Sequence, residues 1–246
     1  MEKVQHSVTI NSVAELELVK AKSAIEQFIY SCSHTMRGPL KSIAGLVYLL
    51  QNTEESTEFN PKHYLQSIEK TVLKMETVLN DLEQFLTNSK QDMVTHPIDA
   101  KEFVSGVLQE FLAPLEEKKI NTIITSNQLE SLHIAQNRFR IILNHLISNA
   151  IAYQDYKKEE REIRISIKVN SSTCTVQIRD NGIGMLDSVR PNIFQLFYRG
   201  SERSSGTGVG LYITKEILNK MGGNITVRSK AGKGSIFSFS IPNLSA

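Results

Sequence analysis

Cysteine is nearly absent from this 246-residue chain: Cys32 and Cys174 are the only two. They are far apart and form neither a Cys-x-x-Cys pair nor a zinc-ligand spacing. Cys32 falls on a predicted helix face and Cys174 in a predicted strand, so both are expected as buried, reduced thiols. Charge of one sign is also missing. With 28 Lys+Arg against 26 Asp+Glu the net charge is +2, which gives no case for general nucleic-acid binding. No apolar run approaches a membrane span and the first residues lack a signal-peptide core, so the expectation is a soluble, cytoplasmic segment without membrane contact. Two familiar phosphate-binding signatures are absent as well. No Gly-x-x-x-x-Gly-Lys-Ser/Thr sequence occurs, and the glycines near residue 206 are spaced Gly-x-Gly-x-Gly rather than Gly-x-Gly-x-x-Gly.

What is present divides into two blocks. From residue 16 to about 90 the pattern predicts two long helices. Leu18, Ala21, Ile25, Phe28 and Cys32 recur at steps of three and four in the first, as do Leu65, Ile68, Val72, Met75, Leu79, Leu82 and Leu86 in the second. A seam of that kind needs a partner helix along its length, and a hairpin of two such helices has little interior of its own. Pairing with a second copy is the economical solution, although a plain structural coiled coil has the same periodicity. Asn52 to Asn60 is a polar connection, Pro61 suits a first helical turn, and Asn88 to Pro97 reads as a linker.

Beyond the linker, element types alternate. Phe103 to Leu115 predicts an amphipathic helix that Pro114 brings close to its end, Ile120 to Thr125 a strand, and Phe139 to Tyr153 a second helix. Ile163 to Val169 and Thr173 to Asp180 predict paired strands, and Val209 to Met221 a helix stopped by Gly222-Gly223. Asn224 to Ser229 and Ser235 to Ile241 close the chain as two more strands. The expected product is one α/β domain with a largely antiparallel sheet backed by helices.

The chemistry concentrates at a few points. Asp180 ends a strand, where Asp is disfavoured unless a turn or ligand needs it, and a carboxylate there can accept a hydrogen bond from an exocyclic amine. Gly182 and Gly184 follow it and allow close backbone approach. Gly206-Thr207-Gly208-Val209-Gly210-Leu211 opens a helix, where unbonded N–H groups and the helix dipole favour phosphate. Asn149 lies among apolar positions of the preceding helix, where its amide oxygen could bind a magnesium ion shared with phosphates, or make a structural bond.

These segments resemble, in order and spacing, those of bacterial sensor histidine kinases. Ser33-His-Thr-Met-Arg-Gly-Pro-Leu40 is similar to their phosphoacceptor box, Asn144 to Tyr153 to the asparagine box, and Asp180 to Met185 to the first glycine box. Ile193 to Gly200 resembles the phenylalanine box, Gly206 to Leu211 the second glycine box, and Gly232 to Phe237 the last. The series covers about residues 20 to 242, which makes it far more specific than any one box.

The resemblance implies an α+β architecture. Residues 1–15 form a leader, and 16–90 an antiparallel helical hairpin that builds a dimeric four-helix bundle. Residues 97–244 form an α/β sandwich of Bergerat type that binds ATP. It further implies that His34 accepts the γ-phosphoryl group of ATP and passes it to an aspartate on a response regulator receiver domain. By the same likeness Asn149 holds Mg²⁺, with His145 a second candidate ligand. Tyr153 lies against the adenine, Asp180 accepts its amino group, and Ser235 stands where a threonine usually supports that contact. Phe194, Phe197, Arg199 and the run to Ser205 would form a lid, expected to be poorly ordered without nucleotide.

Departures are as informative. Thr35 follows His34 where the family usually has an acidic residue that orients the histidine and takes its proton, and Gly38 replaces a residue used in dephosphorylation. His145 and Ala152 also depart from the asparagine box. Two other readings therefore stand beside the kinase: an ATP-binding pseudokinase that signals through conformation, and a clamp-type ATPase. A helical hairpin placed before the ATP domain argues against the last.

Overall fold

The computed structural model describes residues 30, 33, 36–52, 60–88, 94–200 and 208–244. The chain divides into two compact units, Met1–Leu79 and Asn80–Ala246. Of the sequence-predicted site, His34, Thr35, Gly206 and Thr207 lie outside the described residues, as does the apolar seam from Leu18 to Cys32.

The described part of the first unit is helical. Helix α1 runs through Gly38 and Pro39 over 36–52, with Met36, Pro39, Ile43, Leu46 and Leu50 half-buried at steps of three and four. Helix α2, Pro61–Asn88, starts on its proline, where a missing N–H costs nothing. Tyr64, Ser67, Ile68, Thr71, Met75 and Val78 make its more buried side. The seam read from the sequence is split by this arrangement. Ile68 and Met75 are partly covered, whereas Leu65, Val72 and Leu79, seven residues apart, remain 58, 47 and 49 % exposed. Leu40 and Val47 form an equivalent exposed row on α1. Among the described residues no helix is long and apolar enough to cross a membrane.

The second unit is built on a five-stranded sheet of β2 (Ile120–Gln128), β4 (Arg161–Val169), β5 (Thr173–Asp180), β6 (Asn224–Lys230) and β7 (Gly234–Pro242), in the order β2-β4-β5-β7-β6. Only β2 and β4 run parallel, so the sheet is largely antiparallel as expected. Alternation sets its two faces. Ile163, Ile165 and Ile167 of β4, Cys174, Val176 and Ile178 of β5, and Phe237, Phe239 and Ile241 of β7 are buried. They face helices α3 (Ala100–Gln109), α5 (Gln136–Ala152) and α6 (Gly210–Lys220). Phe139 of α5 joins the layers, stacking on Phe103 with ring centroids 5.4 Å apart and meeting Phe239 edge-on at 6.1 Å. Cys174 is fully buried, and desolvation pushes its thiol up to about 12, as befits an inert, reduced cysteine.

Two features differ from the sequence expectation. The helix predicted from Phe103 to Leu115 is two helices, α3 and a short α4 (Leu112–Glu117). Pro114 has no N–H to bond Glu110 and its ring would clash there, so the chain breaks and restarts with the proline in the first turn. The end of the expected linker is also structured. Strand β1 (His96–Ile98) pairs antiparallel with β3 (Leu132–Ile134) in a separate two-stranded sheet. Asn243, just past β7, joins that ribbon to the rest. It accepts the His133 N–H at 2.9 Å and donates to Ser131 O and Asn170 O, each at 2.9 Å.

Candidate active site

Asp180 has the same parity along β5 as Cys174, Val176 and Ile178, so its carboxyl group is placed on the apolar face and is 5 % exposed. Its Oδ1 accepts the Gly182 N–H at 2.8 Å and the Ser235 N–H at 3.3 Å. Burial raises its pKa to about 6, against the opposing effect of those N–H groups and the nearby Lys158 charge. A buried carboxylate of this kind is costly unless a donor meets it, and it discriminates between an amine and a carbonyl on a planar base.

The glycines explain how other elements close around Asp180. A Cβ on Gly182 would lie 2.1 Å from Tyr153 O, the carbonyl that accepts the Ile183 N–H at 2.9 Å. The glycine loop thus docks on the C-terminal end of α5, bringing Tyr153 and Asp180 together. Gly184, with φ +65°, passes so close to β6 that a Cβ would meet Lys230 O at 2.1 Å. A Cβ on Gly234 would strike Asp180 O at the same distance. Ser235 pairs with Asp180 in the β5–β7 register, and its hydroxyl lies 3.0 Å from Ser229 Oγ. Ser229 in turn accepts the Met185 N–H at 2.9 Å.

On the half-buried side of α5, the Asn149 side chain has no protein hydrogen-bond partner among the described residues. His145 is engaged with α6. Its Nδ1 lies 3.2 Å from Thr214 Oγ1, whose own proton goes to Gly210 O at 2.8 Å. With the Thr214 proton given to Gly210, the contact is completed by the tautomer that carries its proton on Nδ1. Gly210 fits against the same ring, its would-be Cβ 3.4 Å from the imidazole. Helix α6 begins at Gly210, and Val209 at its N-cap position makes no side-chain cap bond. A half-buried amide side chain on α5 and the N-terminus of α6 fit a magnesium-bound phosphate chain, to which Asn149 would offer a hard oxygen and α6 N–H donors.

The loop leading to α6 carries strain that the sequence did not disclose. Phe197 adopts φ +62°, unusual for a bulky residue, and its N–H donates to Gly208 O at 2.9 Å. Gly208, at φ +75°, is forced to be glycine by the Phe197 backbone, 2.7 Å from a would-be Cβ. Phe197, part of the expected lid, is thereby tied to Gly208 just before α6. Arg199 is exposed, Phe194 lies under the Lys215 ammonium at 5.9 Å, and 201–205 falls outside the described residues.

With this geometry in view, residues 24–88 match the His Kinase A (phospho-acceptor) domain, and 134–245 match the histidine kinase-, DNA gyrase B- and HSP90-like ATPase family. The chain belongs to the sensor histidine kinases. It is 31 % identical over 229 residues to the methanogenesis regulatory histidine kinase FilI of Methanothrix harundinacea, covering 91 % of this chain and 25 % of that protein. The fold is that of the Acinetobacter baumannii histidine kinase AdeS, at TM-score 0.69 and 21 % identity over 86 % of this chain and 98 % of that one. It is likewise similar to histidine kinase ThkA, solved with its response regulator protein TrrA, at TM-score 0.67 and 20 % identity over 86 % and 59 % of the two chains. The chain spans about a quarter of the length of the curated relatives it matches.

Proposed function

We propose that this chain is the catalytic core of a two-component system, which phosphorylates itself on His34 from ATP and passes the phosphoryl group to an aspartate of a response regulator. The observation that carries this reading is the presence, in one chain, of a phospho-acceptor-type segment that includes His34 and an ATPase-type domain with a buried carboxylate at its glycine loop. Asp180 accepts the adenine amino group, and its apolar setting disfavours guanine, which offers a carbonyl there. Tyr153 borders the base. Ser235 holds the carboxylate through its backbone N–H and is tied by its hydroxyl to Ser229. The α6 start from Gly208 to Leu211, with Gly206 and Thr207, receives the phosphates. Mg²⁺, when bound, supplies charge neutralisation on those phosphates, with Asn149 as its protein ligand. Arg199 and Phe197 belong to the lid.

In the transfer, a neutral imidazole nitrogen of His34 attacks the γ-phosphorus in line. The N–P bond forms as the bond to the bridging oxygen breaks, ADP leaves, and the ring proton passes to solvent. A receiver aspartate then takes the phosphoryl group on a carboxylate oxygen as the N–P bond breaks, and the ring takes a proton back from solvent to become neutral imidazole again. The exposed rows Leu40–Val47 and Leu65–Val72–Leu79 support a homodimer, since a second copy would cover them. The ThkA–TrrA complex, in which a kinase of the same fold meets a response regulator, supports the choice of partner.

The test is incubation with γ-labelled ATP. An acid-labile, base-stable label that His34→Gln abolishes is the expected result. Tight ATP binding without any label on His34 would replace the kinase reading with the pseudokinase one.

A further inference from the structure

Lys158 stands in the turn between α5 and β4, outside every motif read from the sequence. The turn is fixed locally: its own N–H donates to Asp155 O at 3.0 Å, and the Lys157 N–H donates to Asp155 Oδ1 at 3.1 Å. From there the ammonium donates to Asn181 O, to Gly182 O at 3.3 Å and to Gly232 O at 3.1 Å. An ammonium has three N–H groups and no acceptor, so three carbonyls use its full capacity. All three belong to the two glycine turns that meet beside Asp180, and the Gly232 N–H donates to Ile183 O at 2.7 Å across the same junction.

The direction of these bonds matters. In a trans peptide the C=O and N–H point opposite ways. The Asn181–Gly182 peptide gives its oxygen to Lys158 and its N–H to Asp180 Oδ1. Ammonium and carboxylate therefore sit at opposite ends of one peptide dipole, each polarising it in the sense that strengthens the other's bond. The next peptide does the same for the opposite wall: Gly182 O faces Lys158 while the Ile183 N–H holds Tyr153 O.

We propose that Lys158 is a positioning residue for adenine recognition, holding the Asn181–Gly182 peptide so that its N–H orients the Asp180 carboxylate towards the base. This rests on the reading of Asp180 as the adenine acceptor. The same ammonium favours the ionised form of Asp180 by its charge. It is the side-chain charge that acts on that carboxyl among the described residues, the other groups being the N–H of Gly182, of Ser235 and of Asp180 itself.

The experiment is calorimetric titration of the full chain with ADP between pH 5 and 8, comparing wild type with Lys158→Met, Lys158→Arg and Asp180→Asn. Lys158→Met is expected to weaken ADP binding roughly tenfold at pH 7.5, the scale of a charged hydrogen bond, and to move the acid limb of the affinity profile to higher pH. Lys158→Arg, with the charge retained, is expected to keep the limb at its wild-type pH. A residue that merely stiffened the fold would lower affinity by one factor at every pH, and that result overturns the proposal. So does wild-type behaviour of Lys158→Met while Asp180→Asn has lost ADP. Unchanged binding in Asp180→Asn would instead remove the adenine-site reading itself. If Lys158→Met does not fold by circular dichroism, Lys158→Arg decides alone, because a displaced limb with the charge in place sinks the idea.

Discussion

Helices α2 and α5 are both long and carry regular apolar spacing, yet they end differently. In α5, eight residues from Arg138 to Ile151 are buried by the sheet and its neighbouring helices. In α2, Val78 is the buried residue among those described, and a row of leucine and valine stays open to solvent. The sheet domain completes its own interior. Among the described residues of the helical region, the row Leu65, Val72 and Leu79 is left without a covering layer. Apolar periodicity alone does not distinguish the two cases; what distinguishes them is whether the chain supplies a second layer.

The widest test of this contrast is to remove the open row. Leu65, Val72 and Leu79 would each contribute about 1.5–3 kcal/mol if fully covered, so a triple substitution to serine, present in both copies, should weaken self-association more than a thousandfold. Sedimentation should then show monomers, with ADP affinity of the sheet domain unchanged. A persistent dimer would mean that something other than this face joins the copies. Next in size is Thr35→Glu, which restores the acidic residue that the family usually has after its histidine. A general base contributes about 10²–10⁴-fold, and His34 labelling should accelerate at least towards the lower figure; an unchanged rate would show that the proton already leaves by another route.

The sheet domain should respond to subtler changes. Asp180→Asn places an N–H donor where an acceptor is needed and should cost roughly thirtyfold in ADP affinity by calorimetry, within the range for hydrogen bonds to charged groups. It should not lower the melting temperature. Retained affinity with a collapsed melting temperature would make Asp180 structural.

The smallest effect concerns acidity. The Asp180 carboxyl titrates at about 6 rather than 3.8, so the folded state holds its proton more tightly than the unfolded one. Its burial therefore carries no penalty below pH 3.8. The penalty grows as pH rises to about 6 and is complete above, on the order of 3 kcal/mol. On the proposed reading adenine meets the ionised form, so ADP affinity should fall roughly tenfold between pH 7.5 and 5, and the wild-type difference in melting temperature across that window should shrink in Asp180→Asn. A flat affinity profile would deny the carboxylate its role.

Much of this architecture was legible from sequence because local rules act locally. Alternation gave β4, β5 and β7, and positive φ or close backbone approach accounts for Gly184, Gly208 and Gly234. Asp180 announced itself as a carboxylate closing a strand, where Asp is disfavoured unless a turn or ligand needs it. The α3–α4 break was carried by Pro114 but underweighted, since a proline so near an expected end can either finish a helix or begin another. The β1–β3 ribbon escaped because three-residue strands, one with a proline, give no periodicity. Lys158, Ser229 and Asn243 were invisible for a different reason: each acts on backbone groups many residues away, and no spacing rule connects a side chain to a distant carbonyl.

Strand β7 lies between β5 and β6, and Asn243 just beyond it reaches back more than a hundred residues to hold β3. During synthesis, β2, β4 and β5 emerge early and can pair, but their sheet keeps an open inner edge at β5 until residues up to 243 have left the ribosome. A nascent chain stalled before that point presents an unpaired strand edge and an Asp180 without its Ser235 contact, so the domain acquires its fold and its nucleotide pocket in the same late step.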